Sequence, residues 1–164
     1  MITPILTIPN VADKSTVFIK REDLLPFSFG GNKVRIAQEY FADMERKNCN
    51  CIIGYGNARS NLARAIANMA SSKGIYCIII SPCDENGSRT CTANSKIVKL
   101  CGAEIKYCKK TEVSDTIQAT IDQLQTEGFR PYYIFGDKYG RGNEAIPVNA
   151  YVAVYREIQQ QARI

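Results

Sequence analysis

Short apolar runs alternate with segments of helical periodicity along most of this chain. Several runs are apolar throughout, which is typical of strands covered on both faces of a sheet. Between the runs, apolar residues recur every three or four positions and predict helices, one ending at Gly102 and another before Gly128. The predicted strands cover residues 16–20, 51–55, 76–81, 103–108 and 132–135.

The order of these elements predicts the fold class. Strands that alternate with helices form a parallel sheet with right-handed connections, so we expect an α/β fold with helices on both faces of the sheet. In such folds, ligands bind beyond the carboxyl ends of the strands. Functional residues are therefore expected in the loops that follow the strands.

An amphipathic helix is predicted near the C-terminus. Its apolar stripe consists of Val148, Tyr151, Val152, Tyr155 and Ile158, which share one helical face. A stripe this regular requires an apolar surface to cover it. That surface could be the strands predicted above, or it could belong to a second domain that this chain does not contain.

Composition excludes several kinds of chemistry. The chain has no histidine, and its seven cysteines lack the spacing of zinc ligands, so we expect neither a metal site nor histidine-based acid–base catalysis. There is no C-x-x-C pair, and an odd number of scattered cysteines does not indicate a disulfide framework. With 45% hydrophobic residues among 164, the chain can form a packed core.

Charge and hydropathy restrict the partners. The net charge of +5 comes from 21 Lys and Arg mixed with 16 Asp and Glu along the chain, which predicts a solvated surface and no nucleic-acid partner. No apolar run approaches the ~20 residues that cross a bilayer, and the N-terminus lacks the pattern of a secretory signal. We therefore expect a cytoplasmic protein with no membrane contact.

Two loops carry the candidate chemistry. The first contains two glycines in "FGGNKVR" and places Lys33 at a helix start, while the second, "GNARSN", ends at Ser60 and Asn61, either of which can cap the next helix. Amides at helix starts and in glycine turns bind phosphate or carboxylate. A lysine there can act as a point charge on an anion or as a nucleophile that condenses with an aldehyde. Alternatively, the glycines form only a turn, and Ser60 and Asn61 serve only as caps.

The order of several segments resembles a known enzyme family. "IKRED", "FGGNKVR", "RSN" at a helix start and "NSKIVKLCGAEI" are similar to segments of the fold type II pyridoxal-phosphate enzymes, in the branch of 1-aminocyclopropane-1-carboxylate deaminase and D-cysteine desulfhydrase. The resemblance continues to "NEAIPVNAYVAVYREIQQQ", which is similar to the family's segment before its glycine-rich phosphate loop. The cysteine synthase and threonine dehydratase branches carry different lysine and asparagine motifs and come second.

The resemblance implies a cofactor, pyridoxal 5'-phosphate, and a small amino acid as substrate. Lys33 would bond covalently to the cofactor and then act as the base that moves the α or β proton of the substrate. Asn61 would donate a hydrogen bond to the ring oxygen of the cofactor, and Asn32 would position the cofactor beside the lysine. Ser60 would hold the substrate carboxylate or assist attack, and the loop amides from Asn57 to Asn61 could receive the same carboxylate at the helix start.

The resemblance also implies a domain division and a partner. Residues 1–37 would belong to a large domain and carry the lysine, residues 38–146 would form a three-layer α/β small domain, and residues 147–164 would return to the large domain. The chain matches only the N-terminal half of the family, whose phosphate loop lies in the other half. We therefore expect little or no activity from this chain alone, and either a homo-oligomer or a complementing C-terminal polypeptide.

Two residues depart from the family pattern and keep alternatives open. Ile36 stands where the family commonly has a basic residue that reaches the cofactor phosphate, and Arg59 changes the residue before the Ser-Asn pair. Both favour a degenerate family member that is catalytically inactive and acts as a binding or assembly module. An ordinary nucleotide-binding domain is a third possibility, but "GYGNARSN" fails the G-x-G-x-x-G pattern because Arg59 occupies the last glycine position.

Overall fold

The structure, a computed structural model, describes residues 2–12, 15–83 and 91–162. Two short 3-10 turns, Glu22–Leu24 and Lys110–Glu112, accompany the main elements. These are, in chain order, β1 (Ile5–Ala12), β2 (Ser15–Lys20), α1 (Asn32–Arg46), β3 (Cys51–Tyr55), α2 (Asn61–Lys73), β4 (Tyr76–Pro82), α3 (Ala93–Leu100), β5 (Glu104–Cys108), α4 (Val113–Thr126), β6 (Pro131–Tyr133) and α5 (Ala145–Ala162).

Four of the strands form a parallel sheet in the order β5-β4-β3-β6. Ile52 of β3 is the register partner of Cys77 on one side and of Tyr132 on the other. Consecutive residues are buried along most of β3 and β4. Because successive strand residues point to opposite faces, both faces of the sheet are covered. The predicted α/β fold with helices on both faces is confirmed.

Small side chains allow α2 to lie close to the sheet. Its buried face is made largely of alanines, and Gly54 of β3 faces it: a Cβ at Gly54 would lie 2.6 Å from Ile79 Cδ1 and 3.6 Å from Ile66 Cγ2. The helix ends at Gly74, whose φ of 65° is in the left-handed region that favours glycine. Close packing of α2 fixes the position of its N-terminus at the carboxyl edge of β3.

The first predicted strand exists, but it does not join the parallel sheet. Instead β2 pairs antiparallel with β1, with Ile5 opposite Lys20, and the two form a separate two-stranded sheet. Phe18 in β2 is 63% exposed, a position that an antiparallel pair with one open face accommodates. The sequence pattern did not predict β1, and it did not predict that residues 16–20 pair outside the larger sheet.

A largely buried charge network connects the N-terminal segment, α1 and α5. The Arg35 guanidinium binds Glu22 at 2.9 Å and Glu157 at 3.0 Å. Glu157 also binds Lys20 at 2.5 Å and accepts a hydrogen bond from the Thr3 backbone N–H at 2.7 Å. Because these groups come from the N-terminal segment, α1 and α5, the network fixes the hairpin and α5 against the first turns of α1.

The apolar stripe of the C-terminal helix remains largely uncovered. The helix packs against α1 and β1 and buries Ile146, Ala150 and Glu157, so the four-stranded sheet does not cover the stripe. None of the helices in the described ranges is both long and apolar enough to cross a bilayer. Ile158 is half-buried, and the exposed members of the stripe are Val148, Tyr151, Val152 and Tyr155.

Candidate functional site

Lys33 lies at the edge of the sheet where the strands end. It is the second residue of α1, which leads through a short connection into β3. A helix that leads into a strand in this way runs back along it, so the start of α1 lies near the carboxyl end of β3. The Lys33 side chain is half-buried and makes no hydrogen bond or ion pair with the described residues. Its amine is therefore available to a ligand.

The backbone before Lys33 turns sharply through four consecutive residues of positive φ. The φ angles are 50° at Ser28, 64° at Phe29, 69° at Gly30 and 90° at Gly31. A Cβ at Gly30 would lie 2.5 Å from the carbonyl oxygen of Glu22, and the Gly31 N–H donates to the same oxygen at 2.7 Å. The two glycines thus serve a tight turn, as one interpretation proposed, and that turn places Lys33.

Alanine substitutions at the two glycines should separate backbone strain from steric overlap. Both have positive φ, and Gly31, with φ 90° and ψ 167°, lies in a region that is essentially restricted to glycine. A Cβ at Gly31 meets nothing within 4 Å, whereas one at Gly30 overlaps the backbone of Glu22. We expect Gly31→Ala to lower the free energy of unfolding by about 1–3 kcal/mol and Gly30→Ala by clearly more, because it adds the overlap. Urea unfolding of the two variants measures the difference, and equal losses would contradict the close approach.

The second loop is built around Ser60. Its Oγ accepts a hydrogen bond from the Ala63 N–H at 3.1 Å, which confirms Ser60 as the N-cap of α2. A Cβ at Gly56 would lie 2.4 Å from that Oγ, so the close approach requires glycine. Asn57 is exposed; its carbonyl accepts from the Ser60 N–H at 2.9 Å and its Oδ1 accepts from the Arg59 N–H at 3.0 Å.

Both loops are attached to the same helix, α2. The Ser28 N–H donates to Asn68 Oδ1 at 3.0 Å, and Arg64 Nε donates to Ser28 Oγ at 2.9 Å. The Arg64 guanidinium also lies 5.4 Å from the centre of the Phe29 ring. Arg64 and Asn68 are one turn apart on α2, so the loop before Lys33 rests on the helix that Ser60 caps.

The two remaining predicted residues, Asn61 and Asn32, form hydrogen bonds with side chains of other helices. Asn61 is exposed, and its Oδ1 accepts a hydrogen bond from Asn94 Nδ2 of α3 at 3.0 Å. Asn32 is exposed, and its Nδ2 donates to the Tyr151 hydroxyl of α5 at 2.9 Å. Sequence reasoning missed Arg64, Asn94 and the contact made by Tyr151, because no local pattern marks side chains that meet across helices.

Ile36, the residue at the position where the family commonly has a basic side chain, faces the core. Ile36 is 4% exposed and packs among buried apolar residues, so it offers no contact to an anion. In the described ranges, no three Cys, Asp or Glu side chains converge as a metal site would require. The polar groups of the site are thus an amine, three carboxamides, a hydroxyl and the N–H groups at the start of α2, which suit an aldehyde and a carboxylate.

The comparisons with known proteins agree on one family. The family model described as pyridoxal-phosphate dependent enzyme matches residues 2–164. A D-cysteine desulfhydrase of Salmonella paratyphi B is 30% identical over 165 residues, which cover 97% of this chain and 49% of the relative. The chain therefore spans about half the length of the curated relatives it matches.

Two solved structures also match nearly the whole of this chain with about half of their own length. A crystal structure of an ACC deaminase homologue matches with a TM-score of 0.78 and 27% identity, covering 100% of this chain and 50% of that protein. A hydrogen sulfide-producing enzyme from Fusobacterium nucleatum matches with a TM-score of 0.68 over 98% of this chain and 50% of that protein. At 15% identity, the second match shows the fold alone.

Proposed function

Because the chain belongs to the family of pyridoxal-phosphate dependent enzymes, we propose that it forms the lysine-bearing half of a deaminase or lyase that acts on a small amino acid. The reaction would resemble that of the D-cysteine desulfhydrases or of 1-aminocyclopropane-1-carboxylate deaminase. The observation that carries the proposal is the position of Lys33. Its half-buried amine has no partner among the described residues, and its loop is attached to the helix that begins with Ser60 and Asn61.

The residues at this edge fit the reactive end of pyridoxal phosphate but not its phosphate. Lys33 offers an amine for the aldehyde, and the Asn61 amide offers a donor for the ring oxygen. The first turn of α2 adds N–H groups that have no acceptor within the helix. The buried Ile36 gives the phosphate no contact. We assign the phosphate to the part of the enzyme that corresponds to the other half of the relatives.

Each side chain then has a role that its contacts allow. Bound pyridoxal phosphate supplies an aldehyde that bonds to amines and a ring that withdraws electrons from a carbanion. Lys33 would hold the cofactor through its aldehyde, and its amine, when free, would move the proton at the substrate α or β carbon. Asn61 would donate a hydrogen bond to the ring oxygen. Ser60, whose Oγ accepts from Ala63, keeps its O–H to donate to the substrate carboxylate, and the exposed Asn57 amide adds a second donor.

The exposed part of α5 indicates how the complete enzyme is assembled. We propose that residues 1–37 and 147–164 belong to a large domain and that residues 38–146 form the small domain. Asn32 and Tyr151 join the two large-domain segments at 2.9 Å, so Asn32 positions the helix start beside the cofactor. The uncovered stripe around Val152 would pack against the rest of the large domain, supplied by a continuing chain or by a complementing polypeptide. Self-association through this stripe is the alternative.

A second candidate is a catalytically inactive family member that serves as a binding or assembly module. Two observations favour it: position 36 is a buried isoleucine, and the exposed Arg59 precedes the Ser-Asn pair. Such a protein would fold and find its partner without attaching cofactor at Lys33.

Complementation distinguishes the two candidates. The chain would be co-expressed with the C-terminal half of a D-cysteine desulfhydrase relative, purified, and given pyridoxal 5'-phosphate. The enzyme proposal expects a visible absorbance band, a borohydride-trapped adduct located on Lys33 by mass spectrometry, and release of sulfide from D-cysteine or ammonia from 1-aminocyclopropane-1-carboxylate. A stable complex with no adduct on Lys33 would favour the binding module instead.

A further inference from the structure

Asn94 occupies a central position between the two loops of the site. It is the second residue of α3. Its Oδ1 accepts a hydrogen bond from Arg64 Nη1 at 2.8 Å. Its Nδ2 donates to the Arg59 carbonyl at 2.8 Å and to Asn61 Oδ1 at 3.0 Å. One carboxamide thus connects α2, α3 and the loop that ends at Asn61.

The start of α3 is itself held against that loop. Thr92 caps α3 and forms a capping box with Ser95. The Thr92 hydroxyl also donates to the carbonyl of Ala58. Asn94 therefore sits on a helix start whose position relative to the second loop is fixed by a separate contact.

The partners of Asn94 determine which way its amide faces. A guanidinium only donates hydrogen bonds and a carbonyl only accepts them, so Oδ1 has to face Arg64 and Nδ2 has to face the Arg59 carbonyl. The second Nδ2 proton then points at Asn61. Because that nitrogen can only donate, Asn61 has to present its Oδ1, and the assignment does not depend on telling oxygen from nitrogen.

This orientation decides what Asn61 offers to a ligand. With Oδ1 engaged by Asn94, the Asn61 Nδ2 and both of its protons are left for other partners. Within the described ranges, that nitrogen donates no hydrogen bond, and the residue is exposed. Asn61 therefore turns its free N–H donors toward a ligand, and these suit an oxygen acceptor.

Arg64 links this arrangement to the lysine loop. The guanidinium that orients Asn94 also donates through Nε to Ser28 Oγ at 2.9 Å and lies over the Phe29 ring. The same side chain therefore sets the Asn61 amide and contacts the turn that leads to Lys33.

We propose that Arg64 and Asn94 are positioning residues that fix the Asn61 amide with its Nδ2 toward the ligand, so that it selects an acceptor such as the ring oxygen of pyridoxal phosphate. The ligand part of this inference rests on the proposed function. The orientation itself rests on the contacts of Asn94 and holds without a cofactor.

Asn94→Asp is the sharpest test because it nearly keeps the shape, loses the hydrogen bond to the Arg59 carbonyl and reverses the hydrogen bond with Asn61. The new carboxylate still pairs with Arg64, but it can only accept, so Asn61 has to turn over, donate its Nδ2 to that carboxylate and present Oδ1 to the ligand. Asn94→Ala removes the contact altogether. Lys96→Ala, an exposed change two residues along the same helix, is the matched control.

Two measurements report on the orientation of the Asn61 amide. In the ligand-free chain, ¹⁵N relaxation of the Asn61 side-chain amide, assigned by its loss in Asn61→Asp, should give an order parameter near about 0.8 in the wild type and below about 0.6 in Asn94→Ala, with Asn94→Asp still ordered. In the complemented protein, the affinity for pyridoxal 5'-phosphate should fall about tenfold or more in Asn94→Asp and less in Asn94→Ala. Lys96→Ala should match the wild type in both.

The outcomes separate the two levels of the proposal. Equal mobility of the Asn61 amide in the wild type and Asn94→Ala, or unchanged cofactor affinity in Asn94→Asp, would overturn the positioning role. A complemented wild type that never attaches pyridoxal 5'-phosphate, together with the expected relaxation pattern, would reject the cofactor and retain the orientation.

Discussion

Replacing Lys33 with alanine is expected to abolish turnover by the complemented enzyme and to remove the visible absorbance of its bound cofactor. In the proposed function, the amine would be both the nucleophile that bonds to the aldehyde and the base that moves the substrate proton. Loss of a positioned base alone lowers a rate by about 10²–10⁴-fold, and loss of the nucleophile adds to that. Absorbance spectra and steady-state rates with D-cysteine and 1-aminocyclopropane-1-carboxylate measure both effects.

Two further variants separate the amine from its charge. Lys33→Arg keeps a cation in place, but a guanidinium neither loses a proton at ordinary pH nor condenses with an aldehyde, so it should be as inactive as the alanine variant. Lys73→Ala removes an exposed lysine that pairs with Glu45 at 2.9 Å, and it should retain the wild-type rate. Substantial activity in Lys33→Arg would mean that the site needs only a positive charge.

The parallel sheet could be predicted because its strands carry their signal locally. β3 and β4 contain unbroken apolar runs, which are typical of strands buried on both faces. The hairpin has no such signal. β1 contains Pro9 and Asn10, which are unfavourable in strands, and β2 leaves Phe18 exposed. No local pattern decides whether a short strand pairs with its neighbour in sequence or joins a distant sheet.

The places of the candidate site residues along the fold could also be predicted in part. Lys33 and the Ser60–Asn61 pair lie at junctions of loop and helix, where glycines and capping residues mark the chain. The contacts of Arg64 and Asn94 join residues between 30 and 36 positions apart, and neither residue differs in sequence from a solvated helical position. Which side chains meet across α2 and α3 is set by how those helices pack, and this is not encoded in either segment alone.

The largest loss of stability is expected from replacing Arg35 with alanine. Its side chain is 10% exposed and lies between Glu22 and Glu157, so its removal leaves two largely buried carboxylates with less compensating charge. We expect the free energy of unfolding to fall by about 3 kcal/mol. Urea unfolding at neutral pH measures it. The control is Arg21→Ala: this arginine forms an exposed pair with Asp23, and its loss should leave the urea midpoint nearly unchanged.

Lowering the pH should reduce the difference in unfolding free energy between the wild type and Arg35→Ala. Hydrogen bonds from Arg35 lower the pKa of Glu22 from its usual 4.5 against the opposing effect of burial. Burial alone would raise the pKa of Glu157, but hydrogen bonds from Lys20 and the Thr3 backbone outweigh it, and the net direction is again downward. Carboxylates with lowered pKa values stabilise the fold above the unfolded value near 4.5, and that contribution is lost as pH falls through the folded values.

Wild type and Arg35→Ala should therefore differ by a constant amount from about pH 8 to about pH 5 and converge below about pH 4.5, as the wild type loses its charge network. Unfolding curves for both proteins at each pH provide the test. If the difference stayed the same at about pH 3, Arg35 would stabilise the fold through packing of its aliphatic stem and not through its charge. α5 would then be held to α1 by apolar contacts, independently of protonation.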